Sequence, residues 1–162
     1  MSVLSDIRTK ILELLAGTAA GGIRMPAVGR FLVVGSDVDV QQADPMNPSP
    51  RPCYLMAGGE VPDPTIPSDV AGDYHWEARA LPLVVAYAYS PEDTPIERDS
   101  LMDDDELSIK RVLMEPLNLA LVAGWGKCRV EATRSEIRDA QMVDAVKLLS
   151  CTVTITYRED WI

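Results

Sequence analysis

The C-terminal stretch LLSCTVTITYREDWI, residues 148–162, alternates apolar side chains with hydroxyl-bearing and charged ones. A period of two predicts a β-strand that has one apolar face and one polar face. The apolar parity is Leu149, Cys151, Val153, Ile155 and Tyr157, and the polar parity includes Thr152, Thr154 and Thr156. We expect the apolar parity to pack on helices. The three threonines should face outward or towards a neighbouring subunit, and they are candidates for a subunit interface.

A second long strand is predicted by YHWEARALPLVVAYAYS, residues 74–90. In its first half Trp76, Ala78 and Ala80 alternate with polar residues, and from residue 81 onward both parities are apolar. A strand that is apolar on both faces has a second covering layer, which is either a helix of the same chain or a neighbouring subunit. Leu81, Leu83 and Val85 are therefore further candidates for a subunit interface. Pro82 lacks a donor for the ladder, which predicts an edge or a bulge there.

The remaining elements are shorter or are interrupted by proline. Helical spacing of apolar residues predicts a first helix that is capped by Ser2 or Ser5 and ends at Gly17. A second helix is expected to start at Ser100 or at one of Asp103–Asp105, to end at Gly124, and to be kinked or split near Val112 because of Pro116. Three short strands are predicted at Phe31–Val34, Cys53–Ala57 and Lys127–Thr133, and residues 134–147 are expected to form a short helix or a protruding loop.

This order of elements predicts a single α+β domain over residues 1–162, in which helices pack on one face of an antiparallel or mixed sheet. Residues 35–73 hold most of the prolines and are expected to be mainly loop. Long loops of this kind are functional or disordered. Tyr54, Met56 and Ile66 are candidate anchors if these arms order on a partner; a simply mobile surface loop is the other interpretation.

The net charge of −10 argues against a dedicated nucleic-acid-binding surface, which requires clustered lysine and arginine. An acidic wall would still let nucleic acid pass without binding it. No apolar run approaches the length of a membrane span, so no membrane association is expected. The three cysteines Cys53, Cys128 and Cys151 are interpreted as small buried side chains in a reducing compartment.

Few residues suggest catalysis, and no cofactor is expected. The single histidine, His75, lies beside Trp76 and Glu77, and no recognisable nucleophile motif accompanies it. The acidic run DSLMDDDE, residues 99–106, is the nearest approach to a metal site, with Asp103, Asp104 and Asp105 as weak candidates for a hard cation. Favourable interaction of these carboxylates with the start of a helix is the alternative explanation.

Four features in order resemble the tail terminator, or tail-completion, proteins of long-tailed bacteriophages. They are a short N-terminal helix, the strand HWEARALPLVVAYAY, the helix ELSIKRVLMEPLNLAL with its proline, and the final strand TVTITYRED. The resemblance covers most of the chain as an order of elements. Residues 35–73 depart from it, because they are longer and richer in proline than in small members of the family.

The resemblance implies a structural virion protein without enzymatic activity. Such proteins form a hexameric ring at the head-proximal end of the tail tube, stop its polymerisation, and offer a joining surface to the neck or head-completion proteins. The implied partners are other copies of this chain, the tube protein and a neck protein, while DNA passes through the lumen without specific binding. The implied location is the host cytoplasm during assembly and then the virion. Arg134 and Arg138 are candidate contacts to an acidic neighbour.

Two other functions remain open from the sequence. The first is a head-completion or neck "stopper" protein of the same type of virus, which binding to portals rather than to tail tubes would reveal. The second is a small cytoplasmic α+β enzyme or ligand-binding module, with a pocket around His75, Glu77 and Arg79. A stable dimer would favour this second alternative.

Overall fold

The computed structural model describes residues 2–34, 51–55, 61–62, 69–71, 74–89, 95–137 and 145–160. Within these ranges three helices and seven strands follow one another along the chain. They are α1 (Val3–Ala16), β1 (Phe31–Val34), β2 (Arg51–Leu55), β3 (Val61–Pro62), β4 (Asp69–Ala71), β5 (Tyr74–Tyr89), α2 (Pro95–Leu113), α3 (Pro116–Leu119), β6 (Trp125–Ile137) and β7 (Ala145–Asp160). The protein is an α+β domain, as predicted.

Five strands form a mixed sheet in the order β1-β2-β5-β7-β6, and the short strands β3 and β4 also pair with β5. Strands β1 and β2 are parallel, whereas the other pairings are antiparallel. The centre of the sheet is the pair of β5 and β7, whose 16 residues each match from Tyr74↔Asp160 to Tyr89↔Ala145. On β5, strand β2 pairs with residues 83–85 and strand β3 pairs with residues 79–80, so Pro82 lies in the gap between these two pairings. The missing N–H of Pro82 is therefore accommodated without a bulge or an outer edge.

The apolar parity of β7 packs against the helices, as the alternation predicts. All five of its members, from Leu149 to Tyr157, are buried and belong to the same core as Ile7 and Ile11 of α1 and Ile109 of α2. The three helices therefore cover one face of the sheet. We call the opposite side the outer face, and the threonine parity of β7 lies on it.

The candidate subunit interface on β5 is corrected by the structure. Leu81, Leu83 and Val85 are completely buried in the core of the single chain, where they face the helices. A neighbouring subunit cannot reach them unless this core opens. The parity of Trp76, Ala78 and Ala80 lies on the outer face instead, because Leu81 and Leu83 pair in register with Val153 and Cys151 of the buried parity of β7.

Helix α1 has the predicted ends. The Ser2 hydroxyl accepts a hydrogen bond from the backbone N–H of Ser5 at 3.2 Å, which caps the N-terminus. Gly17 has φ of 76° and forms the left-handed C-terminal cap, a conformation that glycine adopts without a steric penalty.

The second predicted helix begins earlier and ends earlier than expected. Helix α2 starts at Pro95, so Asp103–Asp105 lie near its middle rather than at its N-terminus. The helix is split, as Pro116 predicts, because α2 ends at Leu113 and Pro116 occupies the first turn of α3. Helix α3 ends at Leu119, and Gly124 marks the start of β6 rather than the end of a helix.

Of the three short strands predicted, Phe31–Val34 has the predicted bounds and the other two differ. Strand β2 covers Arg51–Leu55 rather than residues 53–57, and β6 continues to Ile137, so residues 134–137 form neither a helix nor a protruding loop. Extended pairing with β7 explains this continuation, since Ile137 still pairs with Val146. Arg138, Met56 and Ile66 lie outside the described residues, as does most of the segment 35–73. Cys53 and Cys151 are buried as expected, and Cys128 is half-buried.

Candidate functional site

The outer face of the sheet consists mainly of short side chains at its centre. Thr154 of β7 lies opposite Ala80 of β5, and Thr156 lies opposite Ala78. Thr152 is exposed, and Thr154 and Thr156 are half-buried. The interface candidates among the threonines therefore lie together on the outer face. That face is accessible only in part, because Ala78, Ala86 and Val146 on the same face are buried.

The margins of the outer face differ in chemistry. On the β6 side the exposed residues Lys127, Arg129 and Glu131 pair in register with the threonines of β7. On the opposite side Tyr54, a candidate partner contact, is half-buried opposite Val84. This surface thus combines a small-residue centre, a charged margin and an aromatic margin, which a protein partner can contact with both polar and apolar groups.

The helical layer contains a buried ionic cluster centred on Asp105, whose side chain has no exposed surface. The guanidinium of Arg51 on β2 donates to both carboxylate oxygens, with Nη2 at 2.7 Å from Oδ1. Arg30 donates its Nε to Oδ1 at 2.8 Å, and the hydroxyl of Tyr87 on β5 donates to Oδ2 at 2.7 Å. The ring of Phe31 lies 5.6 Å from the Arg51 guanidinium, in cation–π distance.

This cluster connects four parts of the fold through one carboxylate. It joins the middle of α2 to β2, to β5 and to the segment that precedes β1. Burial, with the neighbouring negative charge of Asp105 as the next contribution, raises the pKa of Tyr87 far above its ordinary value, so its hydroxyl remains a donor. The arrangement fixes the position of α2 over the sheet. It leaves no carboxylate oxygen of Asp105 without a donor.

The acidic run of α2 pairs with basic residues of the sheet. Asp99 accepts from Nζ of Lys147 at 2.9 Å, and Asp103 accepts from Arg134, which also lies 3.9 Å from Glu106. The hydrogen bond from Asp103 is the main reason why the pKa of Arg134 is raised. Arg134, predicted to contact an acidic neighbour, is thus engaged by its own chain.

The expected metal site is not assembled by these aspartates. Asp103 pairs with Arg134, Asp105 is enclosed by two arginines and a tyrosine, and Asp104 is exposed. Within the described ranges, no group of three or more histidine, cysteine, aspartate or glutamate side chains is suitably placed to hold a metal ion. Pairing with strands β6 and β7, rather than capping, also accounts for the acidic composition of α2.

Three exposed apolar residues are close to Asn118 of α3 along the chain or through its hydrogen bonds. The buried Asn118 amide accepts from the backbone N–H of Ile23 and donates to its carbonyl, both at 2.8 Å, and also bonds the carbonyl of Val112 at 2.8 Å. Close to these bonds, Ile23, Met114 and Leu117 are exposed, Leu117 by 65%. We call these three residues the α3 patch. Exposed apolar groups mark interaction surfaces where they form a contiguous patch.

The alternative pocket around His75 is only partly described. Glu77 accepts a hydrogen bond from the hydroxyl of Tyr157 at 2.7 Å and lies 3.7 Å from the guanidinium of Arg79. Burial and this hydrogen bond raise the pKa of Tyr157 to about 12. The backbone of His75 pairs with Glu159 on β7, and its side chain lies outside the described residues.

The pairing of α2 with Lys147 and Arg134, the Asp105 cluster and the bonds of Asn118 were not predicted from the sequence, although a signal was available for the first of these. Lys147 shares the inward parity of Leu149, and Arg134 shares the inward parity of Val130 and Ala132. A charged residue on an inward-facing parity requires a partner, and the acidic helix was the available one. Nothing comparable in the sequence indicates Arg51 or Asn118, whose partners are brought together only by the fold.

Comparison with known proteins adds no relatives to this description. None of the helices in the part of the chain that the structure describes is long and apolar enough to cross a membrane. No family model matches this chain, and no curated protein is detectably similar to it.

Proposed function

We propose that this protein is a structural subunit that forms a ring at the head-proximal end of a bacteriophage tail tube. There it ends tube polymerisation and offers the surface to which head-side proteins join. The proposal starts from the resemblance of the sequence to tail terminator proteins. The elements that carry the resemblance occur in the same order in the fold, namely α1, β5, the split helices α2 and α3, and β7.

The observation that carries the proposal is the presence of two unlike surfaces on opposite sides of the sandwich. The outer face presents short side chains such as Thr154, and the α3 patch presents exposed apolar side chains such as Leu117. A closed ring requires head-to-tail contacts, in which one surface of a subunit meets a different surface of the next. Two unlike surfaces on opposite sides suit that geometry, whereas a twofold dimer needs only one.

The charge of the chain is compatible with a ring through which DNA passes. At −10 per subunit, copies arranged around a channel would repel the phosphate backbone rather than bind it. In this proposal the partners are other copies of the chain, the tube protein and a neck protein. The protein acts in the host cytoplasm during assembly and then in the virion, without catalysis.

The test is the native mass of the purified protein as a function of concentration, with negative-stain microscopy of the same samples. We expect a ring, six-fold in the simplest case, that Leu117→Asp and Thr154→Arg each convert to monomers. Thr9→Arg, at an exposed position of α1, is the matched control and should leave the assembly unchanged. Thermal unfolding of the monomeric variants shows whether their fold is retained.

Three outcomes would contradict the proposal. A stable dimer would favour the enzyme or ligand-binding alternative. A monomer at every concentration that also fails to bind isolated tail tubes would exclude a terminator. Binding to portal complexes instead of tail tubes would indicate the neck protein.

A further inference from the structure

A cavity of about 670 Å³ lies between the segment 24–30 and the middle of α2, on the helical side of the molecule. Its walls include Arg24 and Arg30 from the segment before β1, and Asp104, Leu107, Ser108 and Arg111 from α2. The α2 residues follow one another at helical spacing and so share one face of the helix. The cavity is distinct from the outer face of the sheet.

Three guanidinium groups and one carboxylate, that of Asp104, contribute the charges of this cavity. The lining residues themselves carry a net positive charge in a chain whose net charge is −10. Arg30 is nevertheless paired with Asp105 and Arg24 lies 3.6 Å from Glu115, which leaves Arg111 as the unpaired cation among the described lining residues. Arg111 is exposed and has no ion-pair partner among the described residues. The acidic composition of the chain as a whole does not explain why three arginines line this one cavity.

Arg30 is held in place by the buried cluster. Its Nε donates to Asp105 at 2.8 Å, while its side chain remains 28% exposed. Within the described part of the chain, no acceptor bonds its two Nη nitrogens. Asp105 therefore orients a guanidinium that still has donors available to a ligand, and preorganised donors of this kind favour binding.

The backbone conformation of Arg24 is a second indication of a ligand-binding site. It is the one residue other than glycine with a positive φ in the described ranges, at 54°. The preceding residue is fixed by the two hydrogen bonds between Ile23 and Asn118, which hold this backbone in place. Strained backbone is retained where the surrounding structure enforces it, and such residues concentrate at ligand-binding sites. The only ion pair of Arg24 in the described ranges is a loose one, 3.6 Å from Glu115.

The chemistry of the walls indicates the class of ligand. Guanidinium groups bind phosphate through paired N–H donors, and Ser108 adds a hydroxyl. Leu107, which is 47% exposed, and Met25 give the cavity an apolar wall. The volume lies within the range of small-molecule sites. We propose that this cavity binds a small phosphate ester, with the phosphate on Arg24, Arg30 and Arg111 and the organic group against Leu107.

The test measures binding of phenyl phosphate, inorganic phosphate and phenol to the full chain by calorimetry at constant ionic strength. We expect saturable binding of phenyl phosphate at one site per chain, weaker binding of inorganic phosphate, and none of phenol. Arg111→Gln should weaken phenyl phosphate binding by about tenfold or more, because a charged hydrogen bond is lost. Arg129→Gln, an exposed arginine on the outer face, is the matched control and should bind like the wild type.

A second variant tests the apolar wall. Leu107→Ser should remove the preference for phenyl phosphate over inorganic phosphate while inorganic phosphate binding is retained. The proposal is overturned if no saturable phosphate binding occurs at millimolar concentration, or if Arg129→Gln weakens binding as much as Arg111→Gln. Equal affinity of the wild type for the two phosphates would overturn the assignment of an ester. None of these results depends on ring formation, so the phosphate-binding proposal and the ring proposal can be contradicted independently of each other.

Discussion

The hydroxyl of Tyr87 in β5 donates to the carboxylate of Asp105 in α2 at 2.7 Å, with no water-accessible surface left on the aspartate. This bond joins the longest helix to a central strand of the sheet across a sequence separation of 18 residues. Arg51 and Arg30 complete the shell of the carboxylate. The position of α2, and with it one wall of the proposed phosphate site, therefore depends on a single buried charge.

Asp105→Asn should destabilise the protein by about 3–5 kcal/mol, because it leaves the buried guanidinium of Arg51 without a compensating charge. The free energy of unfolding from urea titration measures this effect. Asp104→Asn is the matched control, since Asp104 is exposed on the same helix, and it should change stability by less than about 0.5 kcal/mol. Equal effects of the two variants would show that the buried cluster does not stabilise the fold.

Asn118→Ala should lower stability by about 3 kcal/mol, because it removes three hydrogen bonds and leaves the buried carbonyl of Val112 and the part-buried backbone groups of Ile23 unpaired. Leu117→Ala, at the exposed neighbouring position, should have little effect on unfolding. Hydrogen exchange at the Ile23 amide provides a local measurement. Unchanged protection of that amide in Asn118→Ala would contradict the structural role of the side chain.

Gly17→Ala and Gly29→Ala separate backbone strain from steric overlap. Both glycines have positive φ, at 76° and 88°, but a Cβ at position 17 would lie 2.7 Å from the carbonyl oxygen of Pro26, whereas one at position 29 would meet nothing within 4 Å. We expect Gly29→Ala to cost about 1 kcal/mol and Gly17→Ala about 2 kcal/mol more. Similar losses in the two variants, measured by thermal unfolding, would show that segment 26–28 moves aside freely.

Stability should fall at alkaline pH. The pKa of Tyr157 is raised from 10.0 to about 12, mainly by burial and next by its hydrogen bond to Glu77, and burial raises that of Cys128 from 9.0 to about 12. The unfolded chain then releases protons at lower pH than the folded chain, so the stabilisation is complete below about pH 9 and is lost as the pH rises towards 12. Urea midpoints across this range should decrease, and less steeply in Tyr157→Phe. A flat profile in the wild type would contradict the expectation.

Features that depend on close neighbours along the chain can be predicted from local pattern. The alternation of β7, the caps of α1 and the break at Pro116 depend on interactions within a few residues, so periodicity and backbone chemistry were sufficient to predict them. The layer that covers β5 was left open between a helix of the same chain and a neighbouring subunit, and the interface candidates Leu81, Leu83 and Val85 lie in the core of the single chain. Both of its parities become apolar after residue 81, so no local feature distinguishes the face that meets the helices.

The sequence by itself determined the α+β class, the inward parity of β7 and the acidic character of the chain. The tertiary structure alone decided which face of β5 is buried, which basic residues neutralise the acids of α2, and that Arg24, Arg30 and Arg111 line one cavity. The physical reason is the sequence separation between the residues that interact. Alternation and capping are set by neighbours along the chain, whereas Asp105 finds Arg51 across 54 residues and Asn118 finds Ile23 across 95. Such partners become neighbours only when the helices pack on the sheet.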